Sequence, residues 1–182
     1  MTPALMTMLA AGAAATDRAQ VGLIDVTDPG EALRWIADHD TVTGGHSRGR
    51  LEVIDSRAIF SGHLSLEQGN GFASVLTLPR DFGLAAATGL VLRVRGDGRT
   101  YRVRLRTDAS FDGIAWQYSV PTTAGKWTTV IAPFDRCVAV WRGRPVTGQG
   151  HLDPRRIQQI GFMVAGDQEG EFRLEIGRVG AY

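Results

Sequence analysis

Asp38, His39, Asp40 and His46 are the residues of this 182-residue chain most easily drawn around a metal ion. Carboxylate oxygens and imidazole nitrogens are ordinary ligands for divalent cations, but this spacing matches no strong zinc signature. A loop rich in Asp, His and Gly also needs no metal to account for it, and none is expected. The single cysteine, Cys137, excludes an internal disulfide and lacks any nucleophile motif, so a structural thiol is expected. There is no Gly-x-Ser-x-Gly elbow and no phosphate-loop lysine motif. The run Gly44-Gly45-His46-Ser47-Arg48-Gly49 does not sit between a parallel strand and a helix. Nothing marks two carboxylates as a hydrolytic pair. No catalytic residue and no cofactor therefore emerge from these patterns.

The aromatic residues offer a different chemistry. Trp35, Trp116, Trp127 and Trp141 could stack on sugar rings or equally pack in a core. Trp127 opens the alternation Trp127, Thr129, Ile131 and reads as packing, which leaves Trp116 and Trp141 as the candidates for exposure. With Asp40, His46 and Ser47 they make up a candidate ligand loop. The basic residues are nineteen arginines and one lysine, Lys126, a bias that a GC-rich bacterial genome would produce. A guanidinium is also a planar recogniser of carboxylate and phosphate.

The elements that must position these groups are strands. Hydrophobic residues are 43% and charged residues 21%, the balance of a folded globular chain. The formal charge of +1 gives no polyelectrolyte signal for nucleic acid. No apolar run reaches the ~20 residues of a membrane span. The 23 glycines mostly separate short alternating segments. Strands are predicted over 51–54, 58–66, 72–78, 90–95, 99–107, 114–120, 126–131, 160–164 and 171–179. Short helical turns are predicted after the Asp28-Pro29 and Asp153-Pro154 caps, with Glu31 closing a capping box in the first. Many short strands with almost no helix give an all-β antiparallel sandwich. Residues 1–18 read as a leader or disordered tail and 19–182 as one domain. Leu5 to Ala15 has an apolar core and a small-residue end, but no Lys or Arg precedes it. A cytoplasmic location is expected, with a periplasmic or secreted one as the alternative.

One turn sets an apparent register. If Asp97-Gly98 is a two-residue hairpin turn, Val94 faces Tyr101, Leu92 faces Val103 and Leu90 faces Leu105. The opposite face then carries Arg93, Arg95, Arg102, Arg104 and Arg106, with Arg93 directly across from Arg102. Like charges in that position are unfavourable without a nearby anion. Glu171 and Glu175 of the strand Glu171–Ile176, both pointing away from the core, could supply it. An acidic partner surface or a phosphorylated ligand could equally do so.

The order of motifs adds a resemblance. Trp35 precedes Asp40-Thr41-Val42-Thr43-Gly44-Gly45-His46-Ser47. Phe60-Ser61-Gly62, Asn70-Gly71-Phe72-Ala73-Ser74 and Leu92–Tyr101 follow, and then Trp127 and Ala132-Pro133-Phe134. Ile160-Gly161-Phe162 and Gly170–Ile176 close the series. Over about residues 20–180 this resembles the complex I intermediate-associated protein 30 family, the NADH:ubiquinone oxidoreductase assembly-factor domain. Thr43 stands where that family's pattern has methionine.

The resemblance implies a galactose-binding-like jelly roll and no enzyme activity. It also implies a chaperone-like role in assembling a respiratory complex, with another protein as partner. The arginine face is then the expected partner surface. The alternative is a carbohydrate-binding sandwich module that takes sugar through the candidate ligand loop. Neither reading involves nucleic acid or stable membrane insertion.

Overall fold

The computed structural model describes residues 21–39, 44–67, 71–110 and 112–182. Asp40, the central part of the family-like loop at 41–43, and the proposed leader lie outside the described residues. Thirteen strands build two antiparallel sheets among the described residues. The first sheet runs in the order β3 (Arg48–Ile54), β4 (Arg57–Leu64), β13 (Gly170–Ala181), β6 (Gly89–Arg95), β9 (Trp127–Pro133). The short β1 (Val21–Gly22) pairs with the end of β13. The second sheet begins with β11 (Arg144–Pro145), β10 (Val138–Trp141), β8 (Ala115–Pro121) and β7 (Thr100–Arg106). It continues through β12 (Gln159–Ala165) and β5 (Phe72–Thr77) to β2 (Trp35–His39) at the far edge.

Period-two alternation builds the core. Phe60, Leu92, Val94, Phe172 and Leu174 point inward from the first sheet; Tyr101, Val103, Leu105, Ile160 and Phe162 meet them from the second. The rings of Phe60 and Phe172 lie 4.8 Å apart, and Tyr101 approaches both edge-on from the opposite sheet. Along β13 the inward phase shifts after Ile176, because a bulge at Gly177 separates the Ile176 and Arg178 pairings. A side chain at Gly177 would meet the Trp127 ring at 3.1 Å, so glycine is what lets that ring lie against the bulge.

Both capped turns form as 3₁₀ segments, Pro29–Arg34 and Pro154–Arg156, with Asp28 accepting from the Gly30 amide and Asp153 from the Arg155 amide. The second spans only three residues. Glu31 is buried and turned to the guanidinium groups of Arg34, at 2.8 Å, and Arg80, at 3.7 Å.

The structure corrects the hairpin at Asp97-Gly98. β6 pairs with β13 and β9 in one sheet, whereas β7 pairs with β12 and β8 in the other. The connection at 96–99 crosses between the sheets. The six apolar residues do share one interior, but as facing layers rather than as neighbours across a ladder. Arg93 accordingly opposes Thr129 and Arg178, and Arg102 opposes Ser119 and Met163.

Asp97 holds this corner. Its carboxylate accepts from the Tyr101 hydroxyl (3.0 Å), the Arg99 amide (3.2 Å), the Arg99 guanidinium (2.8 Å) and the Arg173 amide (3.0 Å). Those donors lie in both sheets. Gly98 takes a positive φ of 96°, a conformation that favours glycine. Burial, and then the Asp97 charge, raise the Tyr101 phenol far above its ordinary value, so the hydroxyl stays a donor.

Replacing Asp97 strands a fully buried hydroxyl and two backbone amides. Asp97→Ala is expected to cost about 2 kcal/mol or more, lowering the melting temperature by about 4–8 °C for a domain of this size. In a Tyr101→Phe background the same substitution should cost measurably less, because the lost partner is shared. Strictly additive melting shifts in that double-mutant cycle would show that the pair is not coupled.

Candidate functional site

The crossing at 96–99 sends the five arginines to two different surfaces. Arg93 and Arg95 leave the outer face of the first sheet; Arg102, Arg104 and Arg106 leave the outer face of the second. Their electrostatic settings differ accordingly.

On the first sheet the positive charge is answered. Glu175 Oε2 lies 2.8 Å from Arg95 and 3.0 Å from Arg57, and its Oε1 lies 3.2 Å from Arg173. Desolvation of this carboxyl works to raise its pKa, but hydrogen bonds from Arg95 and Arg173 prevail and hold it below the ordinary value. Arg93 and Arg95 also lie over the Trp127 ring, at 5.7 and 5.2 Å from its centroid. Trp127 is thus a packing residue on the outside of the sandwich, under a cover of arginine. The second anticipated anion, Glu171, pairs instead with outward-facing His63, at 3.0 Å.

On the second sheet the setting is the reverse. Arg102 and Arg104 make no ion pair among the described residues. The Nε of Arg104 and the Oε1 of Gln117, its partner across the ladder, are both buried without a hydrogen bond. Burial, the charge of Arg106 and that of Arg102 push Arg104 down to about 10, against an opposing pull from Asp38. The group remains cationic at neutral pH. Arg106 reaches the Gly113 carbonyl at 3.4 Å. Beside this row lies a groove of about 250 Å³, lined by Arg102, Gln117, Ser119, Val138, Val140 and Pro145 among others. Of the row only Arg102 lines it, beside Gln117 and Ser119 of β8, and the β10–β11 hairpin forms the wall.

The candidate ligand loop does not come together. Ser47 is fully buried and pinned to Ser65, whose amide donates to its hydroxyl at 3.1 Å. His46 pairs with Glu67 at 2.8 Å in solvent. Trp116 corrects the expectation of exposure: it points inward from β8 and is 8% exposed, within the core. Trp141 is exposed, with its indole N–H on the Asp112 carbonyl and Arg142 over its ring at 4.8 Å. It sits on β10, while His46 and Ser47 adjoin β3, beside β2 at the opposite edge of the second sheet.

His39 is a structural clasp between those edges. Its Nδ1 faces the Ser74 amide at 3.3 Å, and its Nε2 lies 2.8 Å from the carbonyl and 3.0 Å from the amide nitrogen of Gly49 on β3. No cluster of three or more metal-ligating side chains occurs among the described residues. Cys137 is buried, and burial followed by the Asp135 charge pushes its thiol up to about 12. A thiol so protonated at neutral pH is a poor nucleophile.

Glu175 gives this surface a pH signature. Its folded pKa lies below the ordinary 4.5, so unfolding takes up a proton as the pH falls. The stabilisation is intact above about pH 4.5 and is lost as the pH falls through the lower folded value. Glu175→Gln should destabilise the chain at pH 7 by about 1–2 kcal/mol, discounted for partners that are a third to a half exposed. The melting-temperature gap between variant and parent should close in acid. A gap that stays constant from pH 7 to pH 3 would assign the effect to packing.

A family model described as Complex I intermediate-associated protein 30 (CIA30) matches residues 24–176. A mouse protein named Complex I intermediate-associated protein 30, mitochondrial, is 29% identical over 170 residues, covering 82% of this chain and 52% of its own length. The protein of the same name from Drosophila melanogaster is 37% identical over 98 residues, covering 50% of this chain and 33% of its own. The chain thus spans about half the length of the mouse relative and a third of the fly one. Among solved structures, the family 11 carbohydrate-binding module of a Clostridium thermocellum cellulosomal cellulase superimposes with a TM-score of 0.64. It is 18% identical, and the match covers 89% of this chain and 94% of the module. An agarase gives a TM-score of 0.60 at 11% identity, over 91% of this chain and 25% of the enzyme. At such identities the likeness is one of fold, a jelly-roll sandwich. No helix among the described residues is long and apolar enough to cross a membrane.

Proposed function

We infer the function from one premise: the chain belongs to the complex I intermediate-associated protein 30 family. We propose that it is a non-catalytic, chaperone-like domain that binds another protein during assembly of a respiratory electron-transfer complex of the complex I type. The observation that carries this reading is the family match, which runs through nearly the whole sandwich. In this reading the chain acts in the cytoplasm of a bacterial cell, whereas the relatives' names place those proteins in mitochondria. It needs no cofactor.

The partner contact falls on the second sheet. Arg95 already shares Glu175 with Arg57 and Arg173, so it has little charge left to offer a partner. Arg102 and Arg104 have no such counter-charge among the described residues, and a partner carboxylate beside them would meet cations not yet paired. A carbohydrate ligand is the second reading and rests on fold likeness alone. The inward Trp116 removes one of the two sugar platforms it relied on.

The test is an affinity pull-down of the tagged chain from its own cells, with mass spectrometry of the eluate. Respiratory-complex subunits should be recovered, and Arg102→Glu should deplete them while Arg93→Glu does not, since the two side chains leave opposite outer faces. Recovery of the bait alone would sink the assembly reading and send the protein to a glycan array.

A further inference from the structure

The strand orders of the two sheets end, among the described residues, in four edge strands. Three of them are protected against further pairing. β11 has only two residues, Arg144 and Pro145. β2 and β3 lie side by side, with the His39 ring of β2 on the Gly49 backbone of β3. β3 also carries Arg48, Arg50 and Glu52. β9 differs. It runs for seven residues, holds no ionisable side chain and pairs only with β6.

The phase of that pairing decides which backbone groups stay open. The Phe134 amide donates to the Thr88 carbonyl, one step beyond the Gly89–Pro133 pair. Thr128, Val130 and Ala132 therefore turn their N–H and C=O groups to β6, and Trp127, Thr129 and Ile131 turn theirs away. Pro133 falls in the outward phase and has no N–H to leave open. Thr129 is exposed at the middle of this edge, between half-buried Trp127 and Ile131.

The edge is its own complement. Laid antiparallel on a second copy with Thr129 opposite Thr129, it sets Trp127 opposite Ile131 of the second copy and the reverse. Every outward N–H of both copies then meets a C=O, and Pro133 stays outside the ladder. The side chains suit this register. Its outer face makes aromatic–β-branched pairs and a Thr–Thr pair, both of which favour strand pairing. Its inner face sets Thr128 against Val130. No like charges are opposed. Arg95 stands behind Trp127, and the residue behind the opposing Ile131 is Val91. Arg93 stands behind Thr129 in each copy, so the two lie three strand spacings apart, about 14 Å, beyond the screening length of about 8 Å at physiological salt.

We propose that β9 is the docking edge for a second copy of this chain, which pairs antiparallel about Thr129 and joins the first sheets of two molecules into one. This goes beyond the assembly reading above and does not depend on it.

Sedimentation equilibrium on the full chain tests it. An edge contact of this length is small, which places the dissociation constant in the micromolar range. The mass should therefore double between about 1 µM and about 200 µM. Thr129→Lys, at an exposed position, opposes two like charges across the axis and should raise the dissociation constant at least about tenfold. Ile36→Lys, an exposed apolar position on β2 of the other sheet, should leave it unchanged. Thr129→Cys gives a second check without adding charge. The paired Cα atoms would lie about 5.5 Å apart, so a short bismaleimide should link two copies there. Ile36→Cys should give no linked species, and the native Cys137 is buried. A chain that stays monomeric throughout would overturn the proposal and leave the edge to a strand of another protein. A dimer indifferent to Thr129→Lys, or linked equally well through position 36, would place the interface elsewhere and overturn it as well.

Discussion

The crossing of the chain between sheets at Asp97 is the constraint on which the rest of the molecule depends. A single carboxylate gathers donors from the start of β7 in one sheet and from β13 in the other. Neighbouring crossings are stitched to it. The Arg99 guanidinium donates to the Gln168 and Glu169 carbonyls in the β12–β13 connection, and the Thr122 hydroxyl in the β8–β9 connection donates to the Arg99 carbonyl. Three passages from one sheet to the other are thereby tied at one end of the sandwich. That end fixes the sheets' relative placement, because the Asp97 carboxylate joins Tyr101 of one sheet to Arg173 of the other.

The charge distribution follows from the crossing. Had β6 and β7 formed a hairpin, five arginines would share one surface and repel across the ladder. Sent to opposite faces, they meet different company. Arg95 joins Arg57 and Arg173 around Glu175, and with Arg93 it covers Trp127 where the β13 bulge leaves room. Arg102 lines a groove, and no described carboxylate lies within ion-pair reach of Arg102 or Arg104. One arginine-rich stretch of sequence therefore yields a stabilising cluster on one side and two arginines without a described counter-charge on the other.

Much of this was legible from alternation. Each strand of six or more residues lies within about three residues of its sequence signal, because period-two burial and glycine-bounded ends are local properties, whereas the edge strand β2 had no such signal. The inward set Phe172, Leu174, Ile176 and the outward His63 follow from the same rule. What stayed hidden depends on partners far away in sequence. β10 and β11 are short and edge-bound, and their pairing exists only because β8 accepts it. Trp116 alternates with polar neighbours that face outward, and only the placement of β8 reveals that its ring belongs to the core. The Asp97-Gly98 pair carries a hairpin's local signature, and no local pattern distinguishes a turn within a sheet from a corner between two.

The fold by itself does not choose a ligand class. A jelly roll of this outline occurs in a carbohydrate-binding module and in an agarase, each under 20% identical to this chain. In the proposed reading, recognition resides in side chains that the second sheet turns outward, Arg102 and Arg104 among them. Such a pair is costly to maintain: burial and mutual repulsion both act against the charge of Arg104, as its lowered pKa records. The chain tolerates that penalty in the middle of a sheet, where an apolar side chain of similar size would cost nothing in charge desolvation. In the proposed reading, an acidic group of the partner beside Arg102 and Arg104 would offset that penalty.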